Sequence, residues 1–512
     1  MAPGALQQTI ITQNSMPPRA RQLPLVRQLP LATVARRALR IAGCCVALTI
    51  GMVAGAALPR AAYASTGANG SSYGGSYAAN EILVKYAGGT PRVARAASVR
   101  AAGATGVGGY PIDSASGSGT DTGTRLLHLR PGVSVTAALH RLRGRRDVLW
   151  AVPDYVARTA GEFIPNDPGL GPAPTDWEQM QWNFVGEFGV NAPEAWANVA
   201  ADGAPGGRGV IVAVLDTGVA YANRGRFRRS PDFGRYEFVR GYDFVAKDPY
   251  PNDHNGHGTF VAGTIAEATN NHFGLTGLAY GVRLMPVRVL NSQGEGDAST
   301  IAEGVRFAVR HGAQVINLSL EFSSEITSSD IPELIEALRF ARRRGVVVVA
   351  AAGNEGHSTI AYPARAPDVI AVGATTEHGC LANYSNDGSG LTLVAPGGGA
   401  DADLPGDPNC HPELPSGRDV YQMTFSGSSP RRFGFPSGYE GTSMASPHVA
   451  ATAALIIASG VLGRHPSPAQ IVARLRATAR PLGGPGDSSL YGAGLINAGA
   501  ATAPGGPGAV AK

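Results

Sequence analysis

Ser443 stands in Gly441-Thr442-Ser443-Met444-Ala445-Ser446-Pro447-His448-Val449-Ala450, a glycine-hinged turn that opens into a run of small and apolar residues. A serine hydroxyl is unreactive at neutral pH. It becomes a nucleophile beside a base that takes its proton, with a carboxylate to orient the base and donors to receive an oxyanion. The chain offers a candidate for each role. His257 lies in Asn255-Gly256-His257-Gly258-Thr259, where the flanking glycines permit close approach to a neighbour. Asp216 follows the apolar run 210–215 and enters the turn Thr217-Gly218; a carboxylate fixed at a strand end holds an imidazole in one tautomer. Asn354 ends the run 346–353, and beside Ser443 its amide can donate to an oxyanion together with the Ser443 backbone N–H at a helix N-terminus.

Each box has an ordinary reading. Asp-Thr-Gly also marks paired-carboxylate peptidases, and Asp121-Thr122-Gly123 is a second copy; Gly and Ser precede that copy, where such a site needs an apolar strand. A lone His is often structural or a metal ligand, but no His-Glu-x-x-His occurs and His254 is a solitary neighbour. Asn before Gly-rich sequence is commonly a turn. The joint occurrence, in the order Asp, His, Asn, Ser, carries the inference.

Elements that can hold these residues follow from the apolar pattern. Residues 210–215, 282–290, 314–320, 345–351, 369–374 and 391–395 are short, β-branched and free of charge except at their rims. Such runs mark strands buried on both faces, hence a parallel α/β sheet covered by helices. In open sheets of this kind functional groups collect at the carboxyl ends of strands, where all four candidates fall.

The front of the chain differs. Residues 1–64 contain seven Arg and no acid, and residues 65–157 contain ten Lys/Arg against five Asp/Glu, so the overall charge of +5 hides a main body at about −7. An acidic body argues against nucleic acid as a partner and suits a basic front segment that docks onto it. Arg36, Arg37 and Arg40 precede an apolar run over 41–58, and Ala62-Tyr63-Ala64 offers the small residues that a signal peptidase reads. A secretory signal over 1–64 is expected, with Arg36-Arg37 a partial twin-arginine signal; an uncleaved anchor is the alternative. Residues 65–79 read as a linker. Residues 80–157 read as a small α+β module: strands over 81–86 and 124–129, a Gly/Ser-rich interruption over 103–123, a helix capped by Ser134 and running to about Arg146, and a strand over 150–156. Cys44 and Cys45 fall in the leader, leaving Cys380 and Cys410 to form one disulfide outside the cytoplasm or to stay as thiols.

The boxes Asp216-Thr217-Gly218, His257-Gly258-Thr259, Ala352-Gly353-Asn354-Glu355-Gly356 and Gly441-Thr442-Ser443-Met444-Ala445 resemble those of the subtilisin-like serine peptidases, the subtilases, over roughly residues 163–501. The resemblance implies a mostly parallel sheet of about seven strands with helices on both faces, and a secreted serine endopeptidase made as a zymogen. In it Ser443 attacks, His257 transfers the proton, Asp216 orients His257 and Asn354 steadies the oxyanion. It implies that 80–157 is a propeptide, chaperone and inhibitor in one, cleaved after Val156 or within the next several residues, and that 158–501 is the catalytic domain. A monomer acting on protein or peptide substrates is expected, with no organic cofactor and no membrane span once the signal is removed. The rival is a catalytically silent relative that only binds.

Ser319, Leu320, Glu321, Gly353 and Glu355 fall where the family lines its first specificity pocket. Glu321-Phe322 stands where many members carry Gly-Gly, so two carboxylates, Glu321 and Glu355, can favour a basic substrate side chain if they face the cleft. The resemblance also implies structural calcium at Asp232 and Asn271, with carbonyls near Phe273 and Leu275 and a contribution from Asp167; Asp243, Asp248 and Asp253 offer oxygen ligands for a second ion. Residues 398–438 form a long Gly/Pro/Ser-rich insertion ahead of the nucleophile, and 502–512 read as a disordered tail.

Overall fold

The computed structural model describes residues 77–108, 124–130, 133–155, 163–171, 175–234, 237–484 and 488–510. The expected signal segment, nearly all of the linker and the expected cleavage region lie outside them.

The small N-terminal module has four strands, β1 (Tyr77–Tyr86), β2 (Ala104–Gly108), β3 (Thr124–Leu129) and β4 (Val148–Tyr155), in the antiparallel order β2-β3-β1-β4. Helices α1 (Arg92–Ala102) and α2 (Val135–Leu142) accompany the sheet, and Ile82, Val84, Leu127, Ala138, Leu139 and Leu142 form the core between them. Ser134 caps α2 by accepting from the Ala137 N–H at 3.2 Å. Three details differ from the sequence reading. The first strand begins at Tyr77, inside the expected linker; α1 and β2 occupy sequence with no clear period; and α2 stops at Leu142, just before Gly144 turns to a positive φ of 79°.

The main body is a seven-stranded parallel sheet. Its strands are β5 (Ile211–Asp216), β6 (Tyr242–Asp243), β7 (Arg283–Arg288), β8 (Val315–Leu318), β9 (Val347–Ala351), β10 (Ile370–Thr375) and β11 (Leu393–Pro396), in the order β11-β10-β9-β8-β5-β7-β6. After short α3 (Trp177–Met180) and α4 (Ala192–Ala201), α5 (His257–Ala266) and α8 (Thr442–Ser459) cover one face, and α6 (Ala298–Arg310) and α7 (Pro332–Arg343) the other. Val212 and Val214 face the first core, Ala213 and Leu215 the second, so one strand feeds two cores by simple alternation. α8 is buried along nearly its whole length, which is why its sequence is apolar and small all round. From β5 the chain builds outward through β7 in one direction and through β8 to β11 in the other, so the strand order reverses between β5 and β8. A crevice forms at such a reversal.

Two further features bear on the sequence reading. Cys380 and Cys410 are joined in a disulfide, which ties the insertion to the loop after β10. The tail through residue 510 is packed: α9 (Pro468–Thr478) buries Arg474, whose guanidinium donates to the carbonyls of Ala500, Ala501, Ala503 and Pro507, and the Val510 N–H donates to Val461. One planar, multidonor group closes the carbonyls in and just after a short helix, Ala498–Thr502, so Ala/Gly/Pro composition does not leave this segment loose. No helix among the described residues is long and apolar enough to cross a membrane.

Candidate active site

Asp216 ends β5 with its side chain 1% exposed, and its Oδ1 accepts from the Thr217 N–H at 2.7 Å. The His257 Nδ1 lies 2.8 Å from the same oxygen, so an Nδ1–H donates to the carboxylate and Nε2 is left as the basic face of the ring. Glycine makes this approach feasible. A Cβ at Gly258 would sit 2.1 Å from the Gly218 carbonyl oxygen, and Gly256 takes a φ of 114°.

A second buried carboxylate builds the turn ahead of α5. Asp253 Oδ1 accepts from the Asn255 and Gly256 N–H groups and from the Thr217 hydroxyl, and Oδ2 from the N–H and hydroxyl of Thr259. The Thr217 hydroxyl also accepts from the Gly258 N–H at 3.0 Å, bridging the end of β5 to the start of α5. The sequence reading placed Asp253 in a cation loop and missed this role; Asp-x-Asn-Gly just before a helix is the signal that could have revealed it.

Burial works to lower the His257 pKa, but the charge and hydrogen bond of Asp216, helped by Asp253, outweigh it and leave the ring above its ordinary value. An imidazole must be neutral to accept a proton, so with His257 in the role of base the acid limb of kcat/KM against pH should have its midpoint above 6.5. A profile measured on a neutral peptide substrate with a midpoint below that value would contradict this electrostatic balance. The stability linkage has the opposite sign: the extra proton affinity stabilises the fold below the unfolded-state pKa, and the gain is lost as pH rises through the folded-state value.

Ser443 lies in the first turn of α8, behind Gly441 at a φ of 144°. Pro447 has no N–H, so the Ser443 carbonyl four residues back lacks its helical donor. The Ser319 hydroxyl fills that place at 2.8 Å, Asn317 Nδ2 donates to the Ser319 Oγ, and the Ser446 hydroxyl donates to Asn317 Oδ1. These bonds pin the Ser443 turn to the carboxyl end of β8. The Ser443 hydroxyl donates to the Ser319 carbonyl at 3.2 Å, not to His257.

Asn354, after β9, is fixed from both ends. Its Oδ1 accepts from the N–H and hydroxyl of Thr442 at 2.8 and 3.0 Å, which orients the amide against the residue preceding Ser443. Its nitrogen side faces Glu321, whose two carboxylate oxygens accept from the Asn354 N–H at 2.8 Å and from Nδ2 at 3.1 Å. Gly353 carries a φ of 117° with no room for a Cβ, and Leu320 is buried.

The acids expected to favour a basic substrate are thus engaged elsewhere. Glu321 is turned onto Asn354, and Glu355 accepts from the Ser324 N–H and lies 3.5 Å from His357 Nδ1. With both Glu321 oxygens on Asn354 and Glu355 bonded to Ser324, the geometry gives no support to a basic preference.

The expected calcium ligands are hydrogen-bonded to donors of a single loop. Asp232 Oδ1 accepts from Asn271 Nδ2 and Oδ2 from the Leu275 N–H; Asp167 accepts from the Asn270 and Asn271 N–H groups; and Asn271 Oδ1 accepts from the Phe273 N–H. Each of these oxygens thus accepts one hydrogen bond from the loop itself. Burial foremost, with nearby acids, pushes Asp232 up to about 8. In the second loop Asp243 pairs with Arg288 at 2.8 Å and Asp248 accepts from the Tyr250 N–H. Among the described residues no group of three or more His, Cys, Asp or Glu side chains is arranged to hold a metal.

A parallel sheet covered on both faces, with a carboxylate–imidazole pair and a glycine-hinged serine at its strand-order reversal, defines a serine hydrolase of the α/β type. The sequence model of the Subtilase family, Peptidase_S8, matches residues 207–494, and the chain belongs to that family. Subtilisin BL of Lederbergia lenta is 40% identical over 299 residues, covering 58% of this chain and 91% of its own. The thermophilic serine proteinase of a Bacillus species is 37% identical over 327 residues, covering 64% and 67%. Among solved structures, the proteases from Pseudoalteromonas arctica share the fold with a TM-score of 0.52 and 32% identity, covering 66% of this chain and 99% of theirs. The protein is a subtilisin-like serine endopeptidase.

Proposed function

We propose that Ser443, His257 and Asp216 act as the catalytic triad, with Asn354 Nδ2 and the Ser443 backbone N–H as oxyanion donors. The 2.8 Å contact between His257 Nδ1 and Asp216 Oδ1 carries the assignment, because it leaves Nε2 free to take the Ser443 proton. The hydroxyl leaves the Ser319 carbonyl and turns to Nε2. Oγ then adds to the peptide carbonyl carbon while the proton passes to His257, whose imidazolium is stabilised by Asp216. His257 returns the proton to the departing amine, and water resolves the acyl-enzyme by the same route in reverse.

The same reading includes export and self-processing. Residues 1–64 direct secretion, and 80–157 form a folded inhibitor that is cut from 158–501 near Val156. Its support is the basic charge of the front segment against an acidic body and the self-contained core of the small module. A fluorophosphonate probe is the direct test. It should label wild type at one site per chain and fail on Ser443→Ala; labelling that survives the substitution would remove Ser443 from the mechanism.

A further inference from the structure

We propose that Glu321 is a positioning residue for the oxyanion donor: its carboxyl clamps Asn354 through two hydrogen bonds and fixes which way the amide faces during peptide hydrolysis. This rests on Asn354 serving the oxyanion. Glu321 follows the carboxyl end of β8 and is 9% exposed, with no cation paired to it among the described residues. Both of its oxygens are taken by donors of a single residue, the Asn354 N–H and Nδ2–H. Burial, opposed by these bonds and aided by the charge of Glu355, pushes its pKa up to about 7. A desolvated carboxyl with no counter-ion is costly to retain, and here its hydrogen bonds serve one partner.

The arrangement divides the work on the amide. Thr442 holds the oxygen end and ties it to the nucleophile turn, while Glu321 holds the nitrogen end and ties it to the sheet. One Nδ2 hydrogen is used by Glu321, and the other remains for the developing oxyanion. Oxyanion donors act because they are already placed about 2.7–3.1 Å from where charge will appear, so an amide held at both ends loses nothing to reorientation at the transition state. The Gly353 turn has formed around the clamp, since a Cβ there would lie 2.6 Å from the Glu321 Oε2.

Glu321→Gln keeps the volume and replaces one acceptor with a donor that faces the donors of Asn354. It should lower kcat roughly tenfold and leave KM nearly unchanged, because the clamp matters when the oxyanion forms and not when substrate binds. The deciding experiment is a double-mutant cycle with Asn354→Ala in the full chain, with kcat referred to phosphonate-titrated sites so that misfolded protein does not count. Asn354→Ala alone should cost about 10²- to 10³-fold. In that background Glu321→Gln should change kcat by less than about twofold, since the group it positions is gone. A full tenfold loss in both backgrounds would overturn the clamp while leaving the oxyanion reading intact. A harmless Asn354→Ala would instead overturn the oxyanion reading. An effect of Glu321→Gln confined to KM, no effect, or a rise in kcat would each refute the proposal. If Glu321→Gln gives no titratable enzyme, Glu321→Asp enters the same cycle with the same criteria.

Discussion

Ser443→Ala should lower kcat by roughly 10⁶-fold, the size known for the subtilisin triad, and should leave the chain at its unprocessed length. Both effects follow from deleting one oxygen. Ser443 is 8% exposed at the start of a buried helix, and among the described residues the hydroxyl makes a single hydrogen bond, to the Ser319 carbonyl. Alanine fits there without a cavity, and the Ser319 bond to the residue 443 carbonyl is backbone-directed and survives. The fold should therefore persist while the acyl-forming atom is absent. Any remaining rate would come from binding and the oxyanion donors, on the order of 10³- to 10⁴-fold over water. Intact-mass measurement reads the second effect. Wild type should appear without the residues up to the neighbourhood of Val156, and the variant with them. A variant that still runs at the mature mass is cut by another protease, and self-processing is then wrong.

What the sequence made legible divides along physical lines. Six strands of the main sheet were readable because burial on both faces demands unbroken apolar runs, and Ala213 and Leu215 serve one core as Val212 and Val214 serve the other; the edge strand β6, two residues long, offered no such run. The glycine-flanked boxes around His257 and Ser443 were readable because local backbone constrains residue type: Gly256, Gly258 and Gly441 stand where φ or close approach excludes a side chain. What escaped was polar and long-range. Asp253, Glu321 and Asp232 are all acids in loops, and composition says nothing of whether a carboxylate meets solvent, a cation or backbone N–H groups. All three meet N–H groups. β2 and the tail escaped for another reason. Their Gly- and Ala-rich sequences have little periodicity, and they are ordered by partners far along the chain: β2 by pairing with β3, and the tail by the guanidinium of Arg474.

Asp216→Asn should cost roughly 10⁴-fold in kcat and move the acid limb of the pH profile downward. Asp216 Oδ1 accepts from both the Thr217 N–H and His257 Nδ1, while Oδ2 is buried with no partner among the described residues. Asparagine can keep its oxygen at the Oδ1 position, which preserves the imidazole tautomer but buries an NH2 group that has nothing to donate to. Turned over, it sets that NH2 against the Thr217 N–H and forces the ring into the tautomer whose Nε2 already carries a proton. The first arrangement loses the charge that stabilises the imidazolium, and the second loses the base itself. In the first, the hydrogen bond to the asparagine oxygen and the charge of Asp253 still oppose burial, but the charge of Asp216 is gone; in the second only Asp253 opposes it, and burial lowers the pKa. The acid limb should then fall from above 6.5 to below it, while the plateau stays depressed. A modest loss, under about tenfold, with an unmoved limb would mean that Asp216 neither orients nor stabilises the ring. The 2.8 Å contact would then be structural.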